Sequence, residues 1–303
     1  MLFRPVFARI RRSAVVGVLL VATESSGSGV RTQTASPLLD AVALELTTVV
    51  DSSAYLLYQY RIVNSGSSRA GVAGISVDVA ARAGTGHVKL PFTGRVGLGG
   101  ASSADHVPVG GIAPDGWKMR VRYNAAFDWY AADVGAVVND VGSSASGDSA
   151  APGASKDGFG LRSPYLPGIR RFLALPTYQA CCSQPRLGDS DGEVPVPGEF
   201  LVRGFTVAPT VRSQDMNVAA VRSDLQQTCG SLRWITDERV CARLRSTLEQ
   251  VTKASARVDL PSAKAALRAF VDEIEAQHGP GRPVNDNAYW LLNVNGEYLL
   301  KQM

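Results

Sequence analysis

Pro261-Ser-Ala-Lys-Ala-Ala-Leu-Arg-Ala-Phe-Val-Asp-Glu-Ile274 places Ala263, Leu267, Phe270, Val271 and Ile274 at helical spacing, so all five share one face. Pro261 suits a first helical turn, and Gly279-Pro280-Gly281 ends the run. Downstream, Asn285 or Asp286 opens another helix carrying Tyr289, Leu292, Gly296 and Leu299, with Trp290 and Val294 adjacent. Upstream, Val218, Val221, Leu225 and Cys229 form one stripe, and Cys241, Leu244, Leu248 and Val251 form the next. Trp234-Ile235 plugs the turn between them, and Thr236-Asp237-Glu238 brings a cap and two acids to an N-terminus, where they complement the helix dipole. Four short helices with tight connections predict an antiparallel helical bundle over residues 215–303.

The residues before Pro176 read differently. Ala41 to Val50, Ala54 to Val63 and Val72 to Ala80 are rich in Val, Leu, Ile and Tyr and are separated by polar turns. In Trp117 to Tyr123, Trp117, Met119, Val121 and Tyr123 alternate with Lys118, Arg120 and Arg122, which predicts a half-buried strand with a wet basic face. Phe127 to Tyr130, Gly158 to Leu161 and Ile169 to Leu175 add further short strands. Strands without intervening helices predict an antiparallel β-sandwich over residues 37–175, with the Gly/Ala/Ser-rich stretch 131–157 as a loop inside it. Pro176, Pro185, Pro195, Pro197 and Pro209 make residues 176–214 a proline-rich linker to the bundle.

Composition narrows the class. The chain has 303 residues, 45% apolar and 19% charged, with a formal charge of +4. That length supports one large domain or two ordinary ones. No basic stripe or stacking platform points to nucleic acid. Arg4, Arg9, Arg11 and Arg12 precede the apolar run Ala14 to Ala22, and a Ser/Gly-rich stretch follows. Nine apolar residues are too few to span a membrane, but this layout is that of a secretory signal peptide, with the mature chain starting between Thr23 and Pro37 and carrying no membrane span. The expected localisation is secreted, periplasmic or cell-envelope.

Four cysteines fit such a compartment. A hairpin of two antiparallel helices would bring Cys229 beside Cys241, favouring a disulfide there; two buried free thiols are the alternative. Adjacent Cys181 and Cys182 leave a reactive thiol or a link elsewhere open. Zinc lacks a Cys-x-x-Cys pair, and His87, His106 and His278 are scattered.

Lys264 to Gly279, followed by Asn287-Ala-Tyr-Trp-Leu-Leu and Glu297-Tyr-Leu-Leu300, resembles the C-terminal helical module of exported bacterial proteins, similar to FIMAH and FIVAR-like repeats. Tyr60-Arg-Ile-Val-Asn64, Pro114-Asp-Gly-Trp117, Gly158-Phe-Gly-Leu-Arg-Ser-Pro164 and Pro167-Gly-Ile-Arg-Arg-Phe172 resemble the Ig-like β-sandwich that often precedes it. The resemblance covers most of residues 37–303. It implies an exported, non-catalytic envelope or matrix protein, and it supplies core, turn and cap positions without a catalytic group. Cys229 and Cys241 depart from the usual helical tail.

There is no Gly-x-Ser-x-Gly elbow, no His-Glu-x-x-His, no dinucleotide fingerprint and no P-loop, so no cofactor is expected. Asp272, Glu273 and Glu275 read as a solvated helix face rather than a carboxylate pair. Asp189, Asp191 and Glu193 alternate as calcium ligands can, without the remaining ligands of an EF-hand. The aromatics Trp117, Tyr123, Phe127, Trp129 and Tyr130 offer either a sandwich core or, with Trp117, Tyr123, Trp129 and Tyr130 exposed, a stacking platform for sugars. Burial decides between the two. Lys118, Arg120 and Arg122 could likewise meet an acidic glycan. Three readings follow: a non-catalytic interaction or adhesion protein of the envelope, whose partners are an extracellular polysaccharide, a cell-wall polymer or an envelope protein; a carbohydrate-binding accessory module; or an enzyme of unrecognised type using Asp, Glu or Cys182.

Overall fold

A computed structural model describes residues 38–52, 54–81, 107–122, 126–131, 148–177 and 202–303. The order along the chain is β1 (Val42–Asp51), β2 (Leu56–Asn64), β3 (Val72–Asp78), β4 (Gly110–Ile112), β5 (Trp117–Arg122), β6 (Ala126–Ala131), β7 (Ser155–Ser163), β8 (Leu166–Pro176) and β9 (Val202–Val211). Four helices follow: α1 (Val218–Cys229), α2 (Glu238–Ala256), α3 (Leu260–Ala276) and α4 (Asp286–Gln302).

The strands make two antiparallel sheets, one in the order β1-β2-β7-β4 and one in the order β5-β6-β3-β8-β9. Alternation sets their inner faces. In β1, Val42, Leu44 and Leu46 are buried, as are Tyr58, Tyr60 and Ile62 in β2. The central β3 is buried along its whole length. Aromatic rings join the two sheets: Trp129 of β6 lies 5.7 Å from Tyr60 and 5.8 Å from Phe159, and Trp117 of β5 meets Phe159 edge-on at 4.9 Å.

Each helix starts on a side-chain cap. Asn217, Asp237, Asp259 and Asn285 accept from the backbone N–H of Ala220, Arg239, Ser262 and Ala288, respectively. α1 packs on α2 and α4, α2 on α3, and α3 on α4. Gly296 permits the last contact, because a Cβ there would lie 2.7 Å from Val271 Cγ2. Cys229, the last residue of α1, is disulfide-bonded to Cys241 in the first turn of α2.

The proline-rich span expected as a linker contains β9. Among the described residues the strand pairs only with β8 and so forms a sheet edge, where Pro209 is tolerated because one side of the ladder is free. β4 is likewise absent from the sequence pattern, being three residues long with two glycines. Residues 178–201, with Cys181 and Cys182, lie outside the described residues, as do 132–147 of the loop expected within the sandwich.

The helices do not stand apart from the strands. α4 packs on β1, β8 and β9, and residues 37–303 form one compact unit. The join is polar and buried. Asn287 Oδ1 accepts from Leu46 N–H at 2.8 Å, and its Nδ2 donates to Leu44 O at 3.4 Å. Thr206 Oγ1 of β9 donates to the same Leu44 carbonyl at 2.7 Å. β1 is an edge strand, and these side chains occupy backbone groups that would otherwise be left open. Asn295 Nδ2 donates to Pro167 O of β8 at 3.1 Å, a second tie.

Asn287→Ala leaves the Leu46 amide buried without its acceptor, and an orphaned buried donor costs about 2 kcal/mol. The expected result is a lower urea midpoint with one cooperative transition; a midpoint equal to that of the parent protein would contradict this role.

Candidate functional site

Of the aromatics that offered either a core or a stacking platform, the two indoles belong to the core and are not available to a ligand. Trp129 is 0% exposed and Trp117 7%. The indole Nε1 of Trp129 donates to Ile112 O and that of Trp117 to Asp148 O, both at 2.8 Å, so each ring is locked at its polar tip as well as by packing. Tyr130 is half-buried beneath the Arg120 guanidinium, and Tyr123 lies outside the described residues. These indoles serve the core, because the facing sheets need large side chains to fill the space between them.

The basic face divides in the same way. Lys118 is exposed, whereas Arg120 pairs with the fully buried Asp128 at 3.0 Å. The helical acids have local partners: Glu273 accepts from Arg243, and Glu275 from Asn293. His278 stacks on Tyr289 at 3.9 Å and shares a 2.8 Å hydrogen bond with Asp286. No group of three His, Cys, Asp or Glu among the described residues could hold a metal. Asp189, Asp191, Glu193, His87 and His106 lie outside the described residues.

A different surface carries the features of a site. Two adjoining cavities open beside the turn between β1 and β2. The first, about 450 Å³, lies between that turn and α4, and Pro164 and Leu166 complete its wall. The second, about 510 Å³, continues past Pro164 to Pro108, Val109 and Gly110. Ala54, Tyr55 and Pro164 line both, so Tyr55 stands between two halves of one groove. Cavities of this size fall in the range of small-molecule and oligomer sites.

The α4 wall follows from helical period. Trp290, Val294, Glu297, Tyr298 and Lys301 recur at i, i+4, i+7, i+8 and i+11, forming one stripe. Leu291, Leu292, Asn295 and Leu299 are buried in the interior, and the Trp290 stripe is what remains facing the cavity. Tyr289 meets Trp290 edge-on at 4.9 Å and fixes its ring.

The opposite wall is held by its own hydrogen bonds. Ser52 N–H and Ser52 Oγ both donate to Tyr55 O, at 3.0 and 2.7 Å. Tyr58 O–H donates to Tyr165 O at 2.5 Å, pinning the turn that carries Pro164. Tyr55 is 36% exposed, with the Arg162 guanidinium 5.7 Å from its ring centre.

Charge around the groove is mixed. In the first cavity Asp51 and Glu297 face one lysine, and Lys301 Nζ lies 3.5 Å from Asp51. Glu297 is also held by Arg268 at 2.6 Å. The second cavity contributes Arg162. Burial, aided by Glu275, raises the Tyr289 phenol above its ordinary value, so it stays a neutral donor beside Trp290.

Helical period places Trp290 and Val294 beside the core set of α4 but does not specify which face finds a neighbour. Tyr55 gave no signal beyond its place near a turn. In residues 117–130 aromatic density alone suggests a platform, and density does not report burial.

Comparison with known proteins finds no matching family model, no matching curated protein and no matching solved structure.

Proposed function

We propose that this chain is a secreted or cell-envelope protein whose task is non-catalytic binding, and that the groove around Tyr55 is its binding surface. Its partner is an extracellular polysaccharide, a cell-wall polymer or an envelope protein. On this reading residues 1–36 include a signal peptide, the two facing antiparallel sheets are an Ig-like β-sandwich, and the helices are a bundle fused to it.

The observation that carries the proposal is the groove itself: a partly buried stripe of α4 whose outer side lines the cavity, set opposite a hydrogen-bonded turn, with Tyr55 shared by two cavities. The disulfide supports the compartment, since such bonds persist where the surroundings are oxidising.

The test is retention of purified residues 37–303 on isolated cell envelopes and on insoluble polysaccharides, compared with a Tyr55→Ala/Trp290→Ala variant of equal melting temperature. Retention by the parent protein and loss in the variant is the expected result. Equal retention of both, or retention of neither on any matrix, would overturn the proposal.

A further inference from the structure

We infer that the groove takes an oligosaccharide, with one or two sugar rings in each cavity and the chain passing over Tyr55. This rests on the reading of the groove as the binding surface and adds the ligand's chemical class.

The lining combines two kinds of group that sugars need together. A pyranose has apolar C–H faces and a rim of hydroxyls. Tyr55, Trp290 and Tyr298 supply aromatic surface, whose electron-rich faces attract the weakly positive C–H groups. Around them stand Asp51, Glu297, Asn293, Ser52 and Lys301. Carboxylates and an amide are planar groups that can take hydrogen bonds from neighbouring hydroxyls, and Lys301 donates. Hydroxyl donors therefore meet acceptors here, while ring faces meet rings.

Other ligand classes fit less well. Nucleic acid or another polyanion would need a basic groove, whereas the first cavity has two carboxylates against one lysine. An acyl chain would prefer an enclosed apolar cavity, and this one is edged by six polar or charged side chains. An extended peptide could lie along β4, next to the second cavity, but that would leave the Trp290 stripe without a function.

Length is the sharpest consequence. Tyr55 belongs to both cavities, so a longer chain must cross it to fill the second.

The experiment titrates residues 37–303 with soluble oligosaccharides of two to six units, from neutral, amino-sugar and uronic-acid series, and with a short β-strand peptide. Calorimetry gives affinity. The ligand-induced change in fluorescence reports Trp290, because Trp117, Trp129 and Trp234 are buried and do not line the groove. For one sugar series, affinity should rise with chain length. Trp290→Ala should lower it about tenfold, the loss expected for one central aromatic anchor, and Trp290→Phe should keep most of it. Tyr55→Ala should weaken binding at every length and remove most of the gain from lengthening, because Tyr55 lines both cavities. Asp51→Asn, at a side chain 67% exposed, should weaken binding several-fold without affecting the fold.

Binding of the peptide in place of every sugar overturns the inference. So does an absence of sugar binding when envelope retention still depends on Tyr55 and Trp290; in that case the groove reading stands and only the ligand class fails. Sugar binding indifferent to all four variants would overturn both.

Discussion

Asp224→Asn should stabilise the protein at pH 8 and change little at pH 4. Asp224 lies on α1, half-buried against α4, and burial pushes its carboxyl up to about 7. A hydrogen bond from the Asn295 side chain favours the charged form and opposes this shift without cancelling it. The native state therefore holds a proton that the unfolded chain has already released. Below the ordinary carboxylate range both states are protonated and no penalty exists. Between about pH 4 and pH 7 the unfolded state ionises first, so stability falls as pH rises; above about pH 7 the loss levels off. At 1.36 kcal/mol per pKa unit, discounted for partial exposure, the loss is about 3 kcal/mol. Asparagine keeps the shape without the charge. The check is urea unfolding of both proteins from pH 4 to pH 8, taking the difference between variant and parent so that other titrating groups cancel. A difference that stays flat across this range would contradict the account.

Reducing the Cys229–Cys241 bond has an effect of similar size. The bond closes a loop of 12 residues, which the chain-entropy model values at about 3 kcal/mol. For a unit of this size that corresponds to a fall in Tm of roughly 6 °C or more. The loss should show in the helical signal, because both cysteines lie in helices whose stripes continue through Leu225 and Leu244. A Cys229→Ala/Cys241→Ala variant should melt where the reduced protein melts and ignore reductant. Alkylation that labels both thiols in native, oxidised protein would contradict the bond; an unchanged Tm after confirmed reduction would contradict its role.

Most of the helical half was readable because caps and periodicity act locally. Asp237, Pro261 and Asn285 stand where the helices begin, and the buried faces match the apolar stripes. The strands were readable wherever alternation or β-branched density was strong, as in β1, β2 and β3. β9 was hidden by Pro209: a proline count argues against helices and central strands, but an edge strand escapes that rule. The tie between halves was hidden too. Asn287 and Asn295 look like ordinary polar helix positions, and only tertiary packing brings them to Leu46 and Pro167.

The groove was the least legible feature, for the same reason. Trp117 and Trp129 are close in sequence and drew attention, yet facing sheets enclose them. Tyr55 and Trp290 are separated by most of the chain, and no local pattern links a turn residue to a stripe on the last helix. Whether an aromatic residue fills a core or lines a surface depends on what packs over it.

Hydroxyl-radical footprinting of residues 37–303, alone and with a soluble extract of envelope polymer, tests the groove most directly. Oxidation of Tyr55, Trp290 and Tyr298 should fall on binding while that of exposed Met119 and Phe205 is unchanged. Protection elsewhere, with those three side chains oxidised as in the free protein, would contradict this.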